Sequence, residues 1–474
     1  MSLPTPEAFF KFKENGTNMR TEIMAGVTTF LAMCYILFVN SGIFSNLPGV
    51  SFNSIYFATA LSAIVGTVIM ALLTNLPLGL ASGLGINAFF VFTCCLTFGF
   101  TYENSLLFVL ADGIIFVILT CTGLRALIFN AVPKCVKSAI SVGLGLFIVF
   151  IGLQSTGFIV NDDSTLVNLK SFNLLGGATW AQIMPLVVTF ITVILMGTLL
   201  KKGIKTGIFW AIIIGSALYF LLGLTIPNFK FIDVAPVSLV QGFSDWATNS
   251  WLAVFKKGFD FSAYLSTGGH NMTTLVVTFA TSALAFCMLD MFDTLGTLFG
   301  ACRAGNLLVD NPETGEKDVP NLNKAMLADA IATCFGAVFG TSTVTTYVES
   351  AAGIGAGGKT GLVGIVVAIL FFIAMFFAPL AAFIPGAAYG AALIYVGLLM
   401  MGGVADIDWT DPSEALPSFL TMVIMPFAYN VSYGIAFGII SYIVIKTATG
   451  EMKKISLTTL IIGALFLATF LLTH

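Results

Sequence analysis

The chain has 474 residues, 58% of them hydrophobic and only 9% charged, with a net charge of −3 and a mean hydropathy of +0.99. A soluble domain averages about 25% charged residues, so these figures exclude a soluble globular protein and indicate a polytopic membrane protein. Its expected surroundings are a lipid bilayer, not nucleic acid.

Apolar runs of spanning length make the fold all-α, since a membrane β-barrel shows short alternating segments instead. Residues 1–20 are polar and basic and the first apolar run is a full span, so no cleavable signal peptide is expected. Hydropathy predicts spans at 22–45, 55–75, 80–98, 105–124, 136–155, 182–200 and 207–226. After a polar interval near 227–270 come 273–300, 324–340, 341–357, 361–383, 386–402, 415–430 and 432–448. That makes 14 transmembrane segments, seven in each half of the chain. The run 457–472 is close to the minimum spanning length and reads as an interfacial or extra helix.

With the N-terminus cytoplasmic, the inside loops hold 16 of the 20 Lys and Arg residues, Arg125, Lys134 and Lys137 among them. Lys170, Lys230, Lys256 and Lys257 fall outside, and this bias supports the orientation. The eight cysteines lie in or beside apolar segments without metal-ligand spacing and read as small buried hydrophobes. His270 and His474 are the two histidines, neither deep in a span, which argues against a histidine relay or metal site.

Two seven-segment halves have opposite topology, and inverted repeats place substrate sites near the midplane at interrupted helices. The sequence supplies a matched pair of interruptions. The third span opens with Leu80-Ala-Ser-Gly-Leu-Gly-Ile-Asn-Ala88, too rich in Gly for a uniform helix. The tenth opens with Gly340-Thr-Ser-Thr-Val-Thr-Thr-Tyr-Val348, a β-branched run that prefers extended structure. Such backbone is tolerated at membrane depth only where it is buried in protein or lines a cavity.

Three acids stand out in these apolar runs. Asp290 and Asp293 lie in the eighth span, and Glu349 lies in the tenth. An ionisable group inside a membrane is a functional-site hypothesis by default. Asp290, Asp293, Thr294 and Thr297 follow helical spacing and are expected to form one polar stripe. Asn87 and Glu349 take corresponding places near the starts of the two half-helices, whose free N–H groups favour acceptor atoms. Together these groups suit a flat heterocycle with ring N–H, ring N and carbonyl or amino groups; Phe89, Phe90 or Phe286 are candidates to stack on it. Burial favours the protonated form of a carboxyl, so the acids also offer coupling to protons, with Na⁺ held by oxygen ligands as the alternative. On the structural side, Asp112 reads as a loop-facing or structural acid and Asp329 as a helix-terminal charge. The acidic run Asp406–Asp411 has the composition of a metal-binding loop and of an ordinary surface loop.

The run Thr21–Asn40, the Gly85-Ile-Asn-Ala-Phe-Phe90 element, Asp290-Met-Phe-Asp-Thr-Leu-Gly-Thr297 and Gly340–Ser350 resemble the AzgA-like purine permeases. These belong to the nucleobase:cation symporter-2 (nucleobase–ascorbate transporter) superfamily, and the likeness runs from about residue 8 to 450. It implies two inverted repeats arranged as core and gate domains. The core would be 20–125 with 271–384 and the gate 126–230 with 385–450, with an extracellular loop at 231–270 and a C-terminal hydrophobic segment at 451–474. It also implies proton-coupled uptake of adenine, guanine and hypoxanthine, core-against-gate motion, and a homodimer through the gate. By position, Asp290, Glu349, Asn87 and Thr294 would bind the purine, while Asp293 and Glu349 would serve coupling. The Asn-x-Gly signature of the uracil and xanthine branch is absent from the tenth span, where Thr-Thr-Tyr-Val-Glu-Ser stands instead.

The resulting expectation is a non-enzymatic, cofactor-free symporter of the cytoplasmic membrane that imports purine bases with H⁺ or, alternatively, Na⁺. A uracil/xanthine carrier of the same fold is the alternative substrate reading. An intramembrane aspartyl protease fits less well, because Asp290 and Asp293 share one helix face. A lipid-directed transferase lacks a second acidic motif and basic phosphate-binding partners.

Overall fold

A computed structural model describes residues 5–123, 132–231, 238–266, 270–310, 317–381 and 383–473. Arg125, His474 and parts of the interval 227–270 lie outside the described residues. The fold is mostly helical. Nine helices among the described residues are long and apolar enough to cross a membrane, and four shorter apolar helices accompany them.

In the first half, α1 (Met19–Met33) and α2 (Ile36–Phe44) together fill the first expected span, with a break at Cys34–Tyr35. They are followed by α3 (Phe52–Thr74), β1 (Leu80–Ser82) and α4 (Leu84–Ala88), which continues as a π-helix over Phe89–Thr97. Then come α5 (Tyr102–Thr122), α6 (Lys134–Ser155), the hairpin β2 (Ile159–Asp162) and β3 (Leu166–Leu169), α7 (Trp180–Lys201) and α8 (Gly207–Gly223). The second half repeats the order: α9 (Met272–Ala304), the short pair β4 (Val309–Asp310) and β5 (Lys317–Asp318), α10 (Leu322–Phe339), β6 (Val344–Thr346) and α11 (Ser350–Ile354). It ends with α12 (Leu362–Met375), α13 (Gly386–Leu399), α14 (Pro412–Phe427), α15 (Val431–Ala448) and α16 (Leu457–Thr473).

The halves interlock. α10 packs on α3 and α5, α12 on α1 and α3, and α9 on α5, which makes one group of helices. A second group joins α6 to α13 and α14, α7 to α8 and α13, and α14 to α15. Outward faces carry large apolar side chains such as Ile118, Ile194, Ile373 and Phe372, each about half exposed, as contact with lipid requires.

The polar interval after α8 holds helices Leu239–Asn249, Ala253–Lys257 and Ser262–Ser266. Trp246 donates from its indole N–H to the Phe339 carbonyl (3.0 Å), and the Leu252 amide donates to Val338 (2.9 Å), so this segment satisfies carbonyls at the end of α10. The first expected span is present as Met19–Phe44, with a turn at Cys34–Tyr35 that no Gly or Pro marks.

The two groups depend on close approach at small residues. At Gly66 of α3, an added Cβ would lie 2.9 Å from both the Ala332 Cβ and a Val344 methyl. Gly66→Val should therefore destabilise the protein by about 1–3 kcal/mol, the usual cost of overpacking. A lowered thermal midpoint of the purified protein would show it; an unchanged midpoint would contradict the packing described.

Candidate functional site

The site is built where the two interrupted segments meet. β1 and β6 run antiparallel, with Leu80, Ala81 and Ser82 opposite Thr346, Thr345 and Val344. The ladder extends at both ends: the Gly83 amide donates to the Thr343 carbonyl and the Tyr347 amide to that of Gly79, both at 3.0 Å. The Tyr347 hydroxyl adds a bond to the Ser82 carbonyl (2.6 Å). Extended backbone inside an apolar bundle must find such partners, and each interrupted segment supplies them to the other.

A buried polar chain braces the crossing. Asn40 donates its amide hydrogens to Thr59 (2.7 Å) and Thr341 (3.0 Å). Thr341 and Ser82 share a hydroxyl bond (3.1 Å), and Ser82 donates to Asn87 Oδ1 (2.8 Å). Asn87 is thus a buried brace of the crossing.

Beside the strands lies a cavity of about 830 Å³, within the usual range for small-molecule sites. It lies between the two helix groups. Tyr35, Asp293, Tyr347 and Glu349 line it from the first group, and Lys137 and Ser141 of α6 from the second. The Tyr35 hydroxyl donates to Glu349 Oε1 (2.6 Å), and the Thr345 hydroxyl donates to Asp293 Oδ2 (3.2 Å). Each carboxyl is thereby aimed by one hydroxyl and keeps lone pairs for N–H donors of a ligand. The break between α1 and α2 sets Tyr35 at this wall.

The expected polar stripe on α9 splits in two. Asp293 and Thr297 line the cavity, whereas Asp290 and Thr294 are fully buried and face α10. Thr294 donates to Asp329 Oδ2 (2.6 Å), and Asp290 Oδ2 accepts from Thr333 (3.1 Å). The reason is helical phase: α10 packs along one edge of the stripe and claims the residues four apart, leaving the other pair to the cavity. Of the five expected site residues, the structure therefore brings Asp293 and Glu349 together at the cavity and sets Asp290, Thr294 and Asn87 behind its wall.

Asp112 and Asp329 are neither loop-facing nor terminal; both are fully buried. Asp329 Oδ1 accepts from the amide and hydroxyl of Thr346 (3.0 and 3.2 Å), which ties α10 to β6. The apolar runs around these acids carried the same signal that singled out Asp290. Tyr35 and Lys137 were missed as well, since a Tyr in an apolar helix and a Lys near a helix start are ordinary.

The expected stacking partners pack on one another: Phe89 on Phe286 with centroids 4.8 Å apart, and Phe90 on Phe44 at 4.9 Å. Phe292, Phe299, Tyr35 and Tyr347 are the aromatic residues that line the cavity. Elsewhere the Thr93 hydroxyl donates to the Tyr429 carbonyl (3.3 Å), and the Tyr429 ring meets Phe92 edge-on at 5.4 Å, joining the π-helix to the turn between α14 and α15. Two acids of the Asp406–Asp411 run serve the local backbone. Asp408 accepts from the Thr410 hydroxyl and amide, and Asp411 caps α14 by accepting from the Ser413 amide and hydroxyl. These bonds hold both carboxyls below the usual carboxylate range, with the hydroxyl bond leading for Asp408 and the amide bond for Asp411.

The profile of the Permease family (Xan_ur_permease) matches residues 20–437. The chain belongs to this family. It is a permease and not an enzyme. The permease is 36% identical to the guanine/hypoxanthine permease PbuO of Bacillus subtilis, covering 96% of this chain and 98% of that one. It is 33% identical to the adenine permease AdeP of Escherichia coli, covering 97% and 95%. Among solved structures, the transmembrane domain of the cyanobacterial bicarbonate transporter BicA superposes with a TM-score of 0.62 at 15% identity, covering 89% of this chain and 97% of that one. SLC26A9 superposes with a TM-score of 0.59 at 13% identity, covering 92% and 66%. The permease therefore shares the fold of these multi-pass transporters.

The split of the stripe is checked by thiol labelling in a background lacking Cys121 and Cys334. Cysteines at Ser141 and Gly296, both exposed at the cavity, should react with a hydrophilic thiol reagent; one at the fully buried Thr294 should not. Equal reaction at Thr294 and Gly296 would refute the assignment of faces.

Proposed function

We propose that the permease imports purine nucleobases, namely adenine, guanine and hypoxanthine, across the cytoplasmic membrane together with protons. The observation that carries this reading is the pair of carboxyls, Asp293 and Glu349, aimed by Thr345 and Tyr35 into one cavity. A purine edge offers ring and exocyclic N–H donors, and carboxylate oxygens are the matching acceptors. The flat ring system suits a cavity faced by Phe292, Tyr35 and Tyr347. The relatives PbuO and AdeP, named for guanine/hypoxanthine and adenine, support the same substrate class.

In this reading the first helix group is the core and the second the gate. The fourteen segments form two inverted repeats, and core moves against gate to expose the site alternately. The N-terminus is cytoplasmic, so the cavity, with Lys137, Asp318 and Asp406 among its lining residues, opens inward. The gate carries the contacts of a homodimer. Substrate entry from outside requires the Thr93–Tyr429 contact to part.

The test is uptake of labelled hypoxanthine into proteoliposomes with an acid-outside pH gradient imposed or collapsed, or with a Na⁺ gradient in its place. Cold adenine, guanine, xanthine and uracil serve as competitors. Accumulation driven by the pH gradient and blocked by purines but not uracil is expected. Accumulation with Na⁺ alone would replace the ion, block by uracil or xanthine would replace the substrate, and no uptake under either gradient would overturn the reading.

The carboxyls at the cavity make a sharper prediction. Glu349→Gln and Asp293→Asn should each weaken purine binding by about 1.5–3 kcal/mol, the worth of a hydrogen bond to a charged group. That is roughly ten- to a hundredfold in Kd, with the protein still folded. Tyr35→Phe, which leaves Glu349 unaimed, should act in the same direction with a smaller effect. Unchanged binding by the two carboxyl variants would refute the site.

A further inference from the structure

Behind the cavity wall, and outside the proposed substrate contacts, lies a second set of acids. Asp112 of α5 and Asp290 of α9 are both fully buried, and their carboxyls are electrostatic neighbours. Both Asp112 oxygens and Oδ1 of Asp290 are buried without a hydrogen-bond partner among the described residues. Carboxylates are acceptors only, so two of them side by side with orphaned oxygens can satisfy one another only through a proton. The ionisable groups facing the pair are Asp329 and Cys334 from α10 and Asp293 and Cys287 from α9; none is a cation. Two charges of one sign, buried without a counter-charge, would be costly. The place is also closely packed: at Gly113, beside Asp112, an added Cβ would lie 2.6 Å from Cys334 Sγ and 2.9 Å from its backbone nitrogen, so α5 and α10 meet there in direct contact.

We infer that Asp112 and Asp290 together hold the transported proton, at a site separate from the carboxyls that contact the purine. This inference rests on the proton-coupled reading above and deepens it. One proton bridges one oxygen of each carboxyl; its release leaves two carboxylates, which cannot stay bonded. Asp290 is linked to the cavity through one strand. Thr333 donates to Asp290 (3.1 Å) and accepts from the amide of Val344 in β6 (3.3 Å). The next residue, Thr345, donates to Asp293 on the opposite side. Loss of the proton therefore shifts Thr333 and β6, and with them the carboxyl that faces the substrate. Asp112 acts on transport without touching the purine.

The test uses the full-length permease, purified and reconstituted. Binding of labelled hypoxanthine is titrated across pH in the wild type, Asp112→Asn and Asp112→Glu, beside accumulation driven by a proton gradient. Wild-type affinity should strengthen as pH falls, within the roughly 5- to 150-fold range of linked sites. Asp112→Asn should bind hypoxanthine with a flattened pH dependence and lose gradient-driven accumulation, and Asp112→Glu should regain both. Wild-type pH dependence and accumulation in Asp112→Asn would overturn the inference. A wild type that transports purine with neither pH-linked binding nor proton-driven accumulation is a different failure, and it would overturn the coupling reading itself. Should Asp112→Asn not fold, infrared spectra of the wild type and Asp290→Asn decide the matter. A protonated-carboxyl band present in the wild type and missing in the variant supports the shared proton; its absence from the wild type refutes it.

Discussion

Unpaired backbone cannot be left in an apolar interior, and the antiparallel contact of β1 with β6 is how this chain meets that constraint. Each strand is three residues long, too short to be stable alone. Each nevertheless gives the other the donors and acceptors that an interrupted helix has lost. The surrounding structure follows from that exchange. Asn40, Thr341, Ser82 and Asn87 brace the crossing on one side, while Asp329 fixes Thr346 on the other. The cavity lies beside the ladder, lined by Thr345 within it and by Gly83, Tyr347 and Glu349 where the chain leaves it.

Seen from β6, the acids divide by a simple rule of pleating, since successive residues of a strand point to opposite faces. Val344 and Thr346 turn toward α10 and its neighbours, and Thr345 turns toward the cavity and Asp293. One strand thus separates a buried acidic interior from an open acidic wall. The likeness to BicA and SLC26A9 at 15% and 13% identity shows that this fold is kept while most side chains differ. Substrate class is then written in those side chains and not in the architecture.

Much of this was legible in the chain. The Gly-rich run at Leu80–Ala88 and the β-branched run at Gly340–Val348 announce broken helices at matching places in the two halves; that they pair as strands is shown by the structure. The price of an acid in an apolar run pointed to Asp290, Asp293 and Glu349. What periodicity could not supply was the side from which α10 approaches α9, and so it joined Asp290 and Asp293 in one stripe that the packing divides. The same blindness to neighbours hid Asp112 and Asp329, whose significance lies in what faces them. The break that frees Tyr35 has no residue signature, because the cause is tertiary: the Tyr35 hydroxyl bonds Glu349, 314 positions further on.

The crossing has a consequence for how the protein is made. β1 lies early in the chain, and its ladder partners in β6 belong to the second half. During synthesis the third segment is therefore complete long before its hydrogen-bonding partner exists, and bare extended backbone cannot rest in lipid. The nascent first half must wait, sheltered by the insertion machinery or near the interface, until residue 346 has emerged. Contacts between parts so distant in sequence are slow to close. Assembly of this permease is thus gated by its last-arriving half, and a truncated first half has no native state of its own to fall into.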